Sequence, residues 1–460
     1  MEEVKEAGDS ENQKDLVPAK VKITEHVDGG YAWVVIFATF LFLFSTWGVN
    51  SAFGIYFSRY QEANKFPGAS RIDYAFVGGI SFGVGIFFGP VVNYIHGLIG
   101  THLCILLGCC FQFTAIMLAS WAVSLWQLYC SQGLMQSFGL AFISLPAMTV
   151  APQWFVKKRV FAQGLAVTGS GAGGLFFTLS MYKIMEVRSV QWALRAQAII
   201  SASLVVIGVC LMRVRKKATI FNPFDIATLR CAGFWLLCFF NVTCMFGYVI
   251  LLYTMSEFTT ALGYTEWQGA IVSAMVQVGF TYGRPLTGFI SDKVGAVTVT
   301  IVCYYMSTIF TLAMWIPTKN YATCIALALL VGTFIGCIFP TTAPITARLV
   351  GLPKLNVGFC MLWIFVGIAS IFSEPIGASI LSELPSGKLD PALFKNTAIF
   401  AGCSFFACAT SMVIMRGYIT AKDKIIESSE VNEDDIEVLD LTVPFKDVFL
   451  NIFAWNAKRV

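Results

Sequence analysis

The chain is predicted to be an all-α polytopic membrane protein of about twelve spans, a count set by the length of helix a bilayer requires. Three observations carry that reading. Hydrophobic residues fill 57% of its 460 positions and charged residues only 13%, where a soluble domain has roughly a quarter charged. The mean hydropathy of +0.72 holds over the whole length, so apolar character is not confined to one segment. Apolar runs of about twenty residues, enough to cross a hydrocarbon core of roughly 30 Å, recur from end to end.

Residues 1–27 are polar and open with Glu2, Glu3, Lys5 and Glu6, unlike the basic start and short apolar core of a cleaved signal. They are read as a cytosolic tail, with Glu2 where a myristoylated glycine would have to stand. The first six spans are placed at 33–57, 74–95, 103–122, 126–150, 161–182 and 192–212. The second six are placed at 231–254, 268–290, 296–316, 322–348, 357–381 and 397–416. Gly and Pro interrupt several of them, which bundles tolerate where a helix lines a cavity or meets a close neighbour. The short polar segment 213–230 divides the chain into a first bundle, 28–212, and a second, 231–416. Residues 417–460 form a second cytosolic tail, acidic from Glu427 to Asp440 and then apolar at Phe449, Phe453 and Trp455. A disordered tail is the first reading of it, and an amphipathic or partner-docking helix the second.

The densest basic clusters are Lys157, Lys158 and Arg159 after span four and Arg213, Arg215, Lys216 and Lys217 after span six. Both fall on the cytosolic side if the amino terminus does, and an even number of spans then returns the carboxyl terminus there. The margin over the opposite loops, which hold Arg59, Lys65, Arg71, Lys388 and Lys395, is narrow.

A net charge of +4 gives no basis for binding nucleic acid or for a polybasic membrane-surface protein. The 14 cysteines lie mostly inside apolar runs, without the spacing of a metal site or a disulfide framework, and read as packing residues. His26, His96 and His102 are the only histidines. They have no nucleophile, metal-ligand or phosphate-loop constellation around them, so neither an enzyme nor a metal or other cofactor is expected.

Gly89 to Gly100, after span two, aligns without gaps with Arg284 to Gly295, after span eight: Pro90 meets Pro285, Ile95 meets Ile290 and Gly100 meets Gly295. The match is short, but its position is where a duplicated six-helix unit would put it. Gly288-x-x-Ser291-Asp292-Lys293-x-Gly295 resembles the cytosolic loop motif of the major facilitator superfamily, with a degenerate first copy. That resemblance implies a fold of two six-helix bundles, and a latch in which Asp292 and Lys293 take part. An acidic side chain near the positive end of a neighbouring helix stabilises one state only while the two are close. The alternative is an ordinary solvated turn.

Asp28-Gly29-Gly30-Tyr31-Ala32-Trp33 is similar to the opening motif of the monocarboxylate transporter family. Trp154-Phe155-Val156-Lys157-Lys158-Arg159, leading into Gly164, Gly169, Ser170 and Gly173, is similar to its second motif. The likeness runs roughly from Asp28 to Arg416 and is nearest the fungal monocarboxylate transporter homologues, for which that substrate class need not hold. The glycines, Gly164 and Gly169 among them, strip bulk from one helix so that another can approach, for a sliding contact or for static packing. Asp28 suits the start of helix one, and on the cytosolic face it would make at most a weak pair with Lys157, Lys158 or Arg159.

Charges inside spans are costly and mark function more often than not. Arg284, just before Pro285, stands where the family resemblance implies a substrate-interacting arginine, and its guanidinium suits a carboxylate or another planar acceptor. Glu374, before Pro375, is the second such residue. It would pair with Arg284, bind substrate or carry a proton, since burial disfavours the charged form, or else it reaches water near the outer mouth. Arg195 is expected to snorkel to the interface. Proton-coupled lactate carriers have an aspartate four residues before the arginine and a lysine in span one, and this sequence has Phe280 and Ser51 there, with Asn50 adjacent. Asn50 and Ser51 offer neutral hydrogen bonds suited to a larger polar or aromatic solute.

A transporter of a small organic solute by alternating access is the expectation, with a nutrient sensor on the same fold as the alternative. The family resemblance implies the plasma membrane, with the vacuolar membrane second.

Overall fold

A computed structural model describes residues 29–62, 66, 68–150, 154–155, 158–214, 225–351, 354–381, 391–428 and 443–452. Asp28, Lys157, Arg215, Lys216, Lys217 and the acidic stretch beyond Ser428 lie outside the described residues, as do Phe453 and Trp455.

The described residues form twelve long helices. In the first bundle these are α1 (Ala32–Tyr60), α2 (Arg71–Phe87, continued after a bend as Gly89–Ile99), α3 (Thr101–Trp121), α4 (Leu125–Val150), α5 (Arg159–Val187) and α6 (Val190–Leu211). In the second they are α7 (Ala232–Ala261), α8 (Glu266–Val294), α9 (Ala296–Trp315), α10 (Tyr321–Val350), α11 (Leu355–Ile380) and α12 (Phe394–Ser428). Ten of them are long and apolar enough to cross a membrane, and the bent pair of α2 makes eleven. The remaining helix is α8, whose apolar run is broken by Arg284 and ends in Asp292 and Lys293. Helices satisfy every backbone group internally, which is what a bilayer demands of a spanning segment.

Gly29, before α1, and the end of α12 lie on one face of the bundle, here the terminal face; the opposite one is the far face. Four of the helices that start at the far face have Ser or Thr at the N-cap. Ser70 and Asp73 form a capping box on α2, Ser124 and Gln127 on α4, and Thr265 and Gln268 on α8, while Ser189 caps α6. At the terminal face α2 and α8 both stop at a glycine with positive φ, Gly100 at 82° and Gly295 at 115°. These are the paired glycines of the sequence repeat, and the left-handed region favours glycine in both. The repeat is imperfect: Pro90 follows a 53° bend in α2, whereas Pro285 sits inside an unbroken α8.

Two seams join the bundles. Along α5 and α8, a Cβ at Gly164 would stand 2.8 Å from the Arg284 carbonyl oxygen, and one at Gly288 would stand 2.9 Å from that of Val160. Along α2 and α11, a Cβ at Gly79 would stand 2.3 Å from the Ile371 carbonyl oxygen, and one at Gly83 would stand 2.4 Å from that of Gly367. The glycines of α5 serve two partners, because Gly169 and Gly173 face the backbone of α1 at Phe40 and Phe44. Small residues let helix backbones touch where no hydrophobic force drives them together.

Two expectations about the end of the chain are corrected. α12 runs to Ser428, well past Arg416. Part of the tail is not loose either. Phe445–Asn451 forms a short helix, α13, on α12, where Val448 meets Gly417 and Lys424 Nζ donates to Asn451 Oδ1 at 2.5 Å.

Candidate functional site

Arg284 is brought by α8 to the middle of the seam with α5 and is 2% exposed. Its Nη1 donates to the Val167 carbonyl at 3.0 Å and to Ser170 Oγ, and Nη2 donates to Tyr248 Oη at 3.4 Å. The guanidinium lies 4.4 Å from the ring centre of Phe280 and 5.0 Å from that of Phe339. The Phe280 ring thus offers the negative quadrupole of its face to the guanidinium.

Around this group Trp47, Phe82, Tyr248, Phe280 and Phe339 form an aromatic cage. Tyr248 stacks on Phe280 at 5.4 Å, and Trp47 meets Phe82 at 4.9 Å and Phe339 at 5.8 Å. Ser51, Met148, Val167, Ser170 and Gln277 complete the lining of a cavity of about 10 Å³, room for about one water. The chamber is therefore closed, and a solute fits only after the bundles part. Trp47 Nε1, Arg284 Nε and Gln277 Oε1 have no hydrogen-bond partner among the described residues, leaving two donors and one acceptor in a region where unmet polar atoms are costly.

The sequence-predicted residues divide into two groups. Arg284 and Ser51 share the cavity, although the Ser51 hydroxyl donates to its own helix at the Trp47 carbonyl, 2.8 Å away. Asn50 instead accepts from Ser81 Oγ and donates to Tyr253 Oη at 3.4 Å, nearer the far face. Glu374 belongs with Asn50's side of the molecule. It neither pairs with Arg284 nor reaches water, being 6% exposed with Glu257 and Arg71 as its charged neighbours. Arg195 lies near the far end of α6 between Trp121 and Trp192, 5.5 Å from each ring.

At the terminal face the two motifs meet. Trp33 packs edge-on against Phe155 at 5.0 Å, Tyr31 contacts Trp154, and the Tyr31 hydroxyl donates to the Leu211 carbonyl at 2.9 Å. Gly30, with φ 60°, turns the chain into α1. Lys158 is exposed at the start of α5, and Arg159 is its first helical residue. Asp292 Oδ2 accepts from the Phe161 backbone N–H of α5 at 3.1 Å, where that helix has unsatisfied donors and a positive dipole end. Lys293 Nζ lies over Phe289, 4.2 Å from the ring centre. Asp292→Asn is expected to weaken this contact by about 1 kcal/mol, a roughly fivefold shift toward the state open at the terminal face. Faster labelling of Val167→Cys by an impermeant thiol reagent added at that face would report it.

Sequence reasoning missed Tyr248, Gln277, Arg71 and Glu257. The first two are neutral residues inside spans, and only their convergence on Arg284 distinguishes them. Arg71 and Glu257 fall just outside the ranges drawn for spans two and seven, and the helices extend to include both.

Residues 35–374 match the family model described as the Major Facilitator Superfamily. The chain is 41% identical over 453 residues to the probable transporter MCH2 of Saccharomyces cerevisiae, covering 97% of this chain and 95% of that one. It is 30% identical over 428 residues to the uncharacterized transporter ESBP6 of the same organism, covering 89% of this chain and 62% of the relative. It is also 26% identical over 384 residues to the fujikurins efflux protein of Gibberella fujikuroi, covering 82% of each.

Proposed function

Because this chain belongs to the major facilitator superfamily, in the branch of the yeast transporter MCH2 and as its motifs lead one to expect, we propose that its solute binds at Arg284 inside the aromatic cage. The protein is a multi-pass membrane transporter of a small organic solute, a family that is not an enzyme class, and no observation favours the sensor alternative.

The observation that carries the proposal is a fully buried guanidinium between two rings, beside an unpartnered indole N–H and an unpartnered amide oxygen. That combination suits a flat organic solute with an acceptor group for Arg284 and Trp47, a donor for Gln277, and rings to lie against Phe280 and Phe339. Asn50 and Ser51 supply neutral hydrogen bonds as the chamber opens. Parting of the bundles at one face and then the other, along the two glycine-lined seams, exposes the site alternately.

We place the terminal face in the cytosol, on the basic residues of the loops after α4 and α6, and the protein in the plasma membrane, with the vacuolar membrane as the alternative. Uptake and efflux of a labelled panel in proteoliposomes test the solute class, using short monocarboxylates, aromatic carboxylates, amino acids and flavins. Preference for flat, ring-bearing members is the expected result; preference for short monocarboxylates would sink the cage argument.

A further inference from the structure

The short helix α13 belongs neither to the solute site nor to the seams, and its outer face is apolar. Val448, Asn451 and Ile452 are buried, while Phe445, Phe449 and Leu450 are 75%, 62% and 70% exposed, with Lys446 exposed among them. Each residue of an α-helix turns by about 100°, so these exposed side chains share about 140° of arc. Large apolar side chains gathered in one exposed patch mark a surface that meets something other than water.

What covers that face follows from where α13 sits on α12. Cys403, Phe406, Thr410 and Val413 recur in steps of three and four and so share one side of α12. Cys403 is exposed, Phe406 is 54% exposed, and Thr410 and Val413 are half-buried. In a bilayer this is the side that lipid meets. The next residue along it is Gly417, and α13 is seated there: a Cβ on Gly417 would stand 2.4 Å from the Val448 carbonyl oxygen and 2.9 Å from Ile452 Cγ1. Further along the same side, Lys424 donates to Asn451. α13 therefore continues the lipid-facing side of the bundle.

Its depth follows from the charges of α12. Between Lys395 and Arg416 that helix carries none, a length of about 30 Å, which matches a hydrocarbon core. Gly417 adjoins Arg416, so α13 is seated at the level where acyl chains give way to headgroups. An amphipathic helix at that level sinks its apolar side chains into the acyl boundary, and a lysine beside them reaches out to the phosphates along its own apolar stem.

We propose that α13 is a membrane-interface helix whose partner is the phospholipid surface at the terminal face. Phe445, Phe449 and Leu450 insert into that leaflet, Lys446 meets its phosphates, and the end of α12 is held at a fixed depth.

Spin labels placed singly at Phe445→Cys, Phe449→Cys and Leu450→Cys test this in the full chain, reconstituted into nanodiscs of phosphatidylcholine and phosphatidylserine. The exposed cysteines Cys110, Cys130, Cys210 and Cys403 are first replaced by serine. Oxygen concentrates in lipid and a nickel chelate stays in water, so the two relaxing agents report what surrounds each label. Oxygen is expected to dominate at all the α13 positions, as at a Phe406→Cys control within the span, and the nickel chelate at a Lys158→Cys control. These side chains are exposed, so labelling leaves the packing intact. Dominance of the nickel chelate on α13 would show a face turned to water, and protection from both agents a face covered by protein, such as a second copy; either result overturns the proposal. Phe449→Asp is expected to switch the label at Leu450 from oxygen to the nickel chelate, because a charge is costly at the acyl boundary. A label that stays in lipid in that variant would show that this face does not anchor the helix.

Discussion

Arg284→Ala is expected to reduce solute uptake by at least about thirtyfold, since losing a buried, hydrogen-bonded charged partner costs about 2 kcal/mol or more. The guanidinium serves the Val167 carbonyl, Ser170 and Tyr248 at once and lies between Phe280 and Phe339. An ammonium cannot reproduce either the fork or the stacking. Arg284→Lys is therefore expected to fall nearly as far, which separates shape from charge. The measurement is initial uptake by purified protein in liposomes, with thermal unfolding in detergent as the control for folding. Wild-type uptake by Arg284→Lys would show that the site needs only a positive charge.

Gly79→Ala and Gly288→Val are expected to bias the carrier in opposite directions. A methyl at Gly79 would stand 2.3 Å from the Ile371 carbonyl oxygen in the far half of the α2–α11 seam, and no side-chain rotation relieves it. At Gly288 the added carbon would stand 2.9 Å from the Val160 carbonyl oxygen near the terminal face of the α5–α8 seam. Overpacking of this kind costs about 1–3 kcal/mol, but only in states where the seam is shut. Each substitution should thus shift the balance of states by roughly five- to 150-fold, Gly79→Ala toward opening at the far face and Gly288→Val toward opening at the terminal face. Distances between spin labels at Glu186 and Tyr264, and between labels at Lys158 and Lys293, report the two openings separately. Equal widening at both faces in either variant would mean that the glycines serve static packing alone.

The spans and the division into two bundles were legible because a bilayer leaves few ways to bury a backbone, and the hydropathy of the chain states them directly. Arg284 was legible for the same reason: a charge within an apolar run needs an explanation. Its surroundings were not, because Tyr248, Gln277 and Phe339 come from three helices and look like ordinary span residues until packing brings them together. Glu374 was visible as a charge, but its partners were hidden by uncertainty of a few residues at the ends of spans two and seven. An Arg284–Glu374 pair, one of the roles open to Glu374, does not form because the two side chains sit at different depths, each among its own neighbours. The tail helix could not be separated from a solvated tail, since its apolar residues face both α12 and the outside.

The repeat glycines Gly100 and Gly295 keep their conformation in both halves, but the residue three positions before each differs: Gly97 in the first copy, Asp292 in the second. Among the described residues, the terminal end of the α5–α8 seam is thus fastened by a carboxylate on a helix end, while the terminal end of the α2–α11 seam is held by close packing alone. Separating α5 from α8 strips a charge of its donor; among the described residues no ion pair is seen between α2 and α11. The two seams are thus unlike at the terminal face, and the position that makes them unlike is one at which the two copies of the repeat differ.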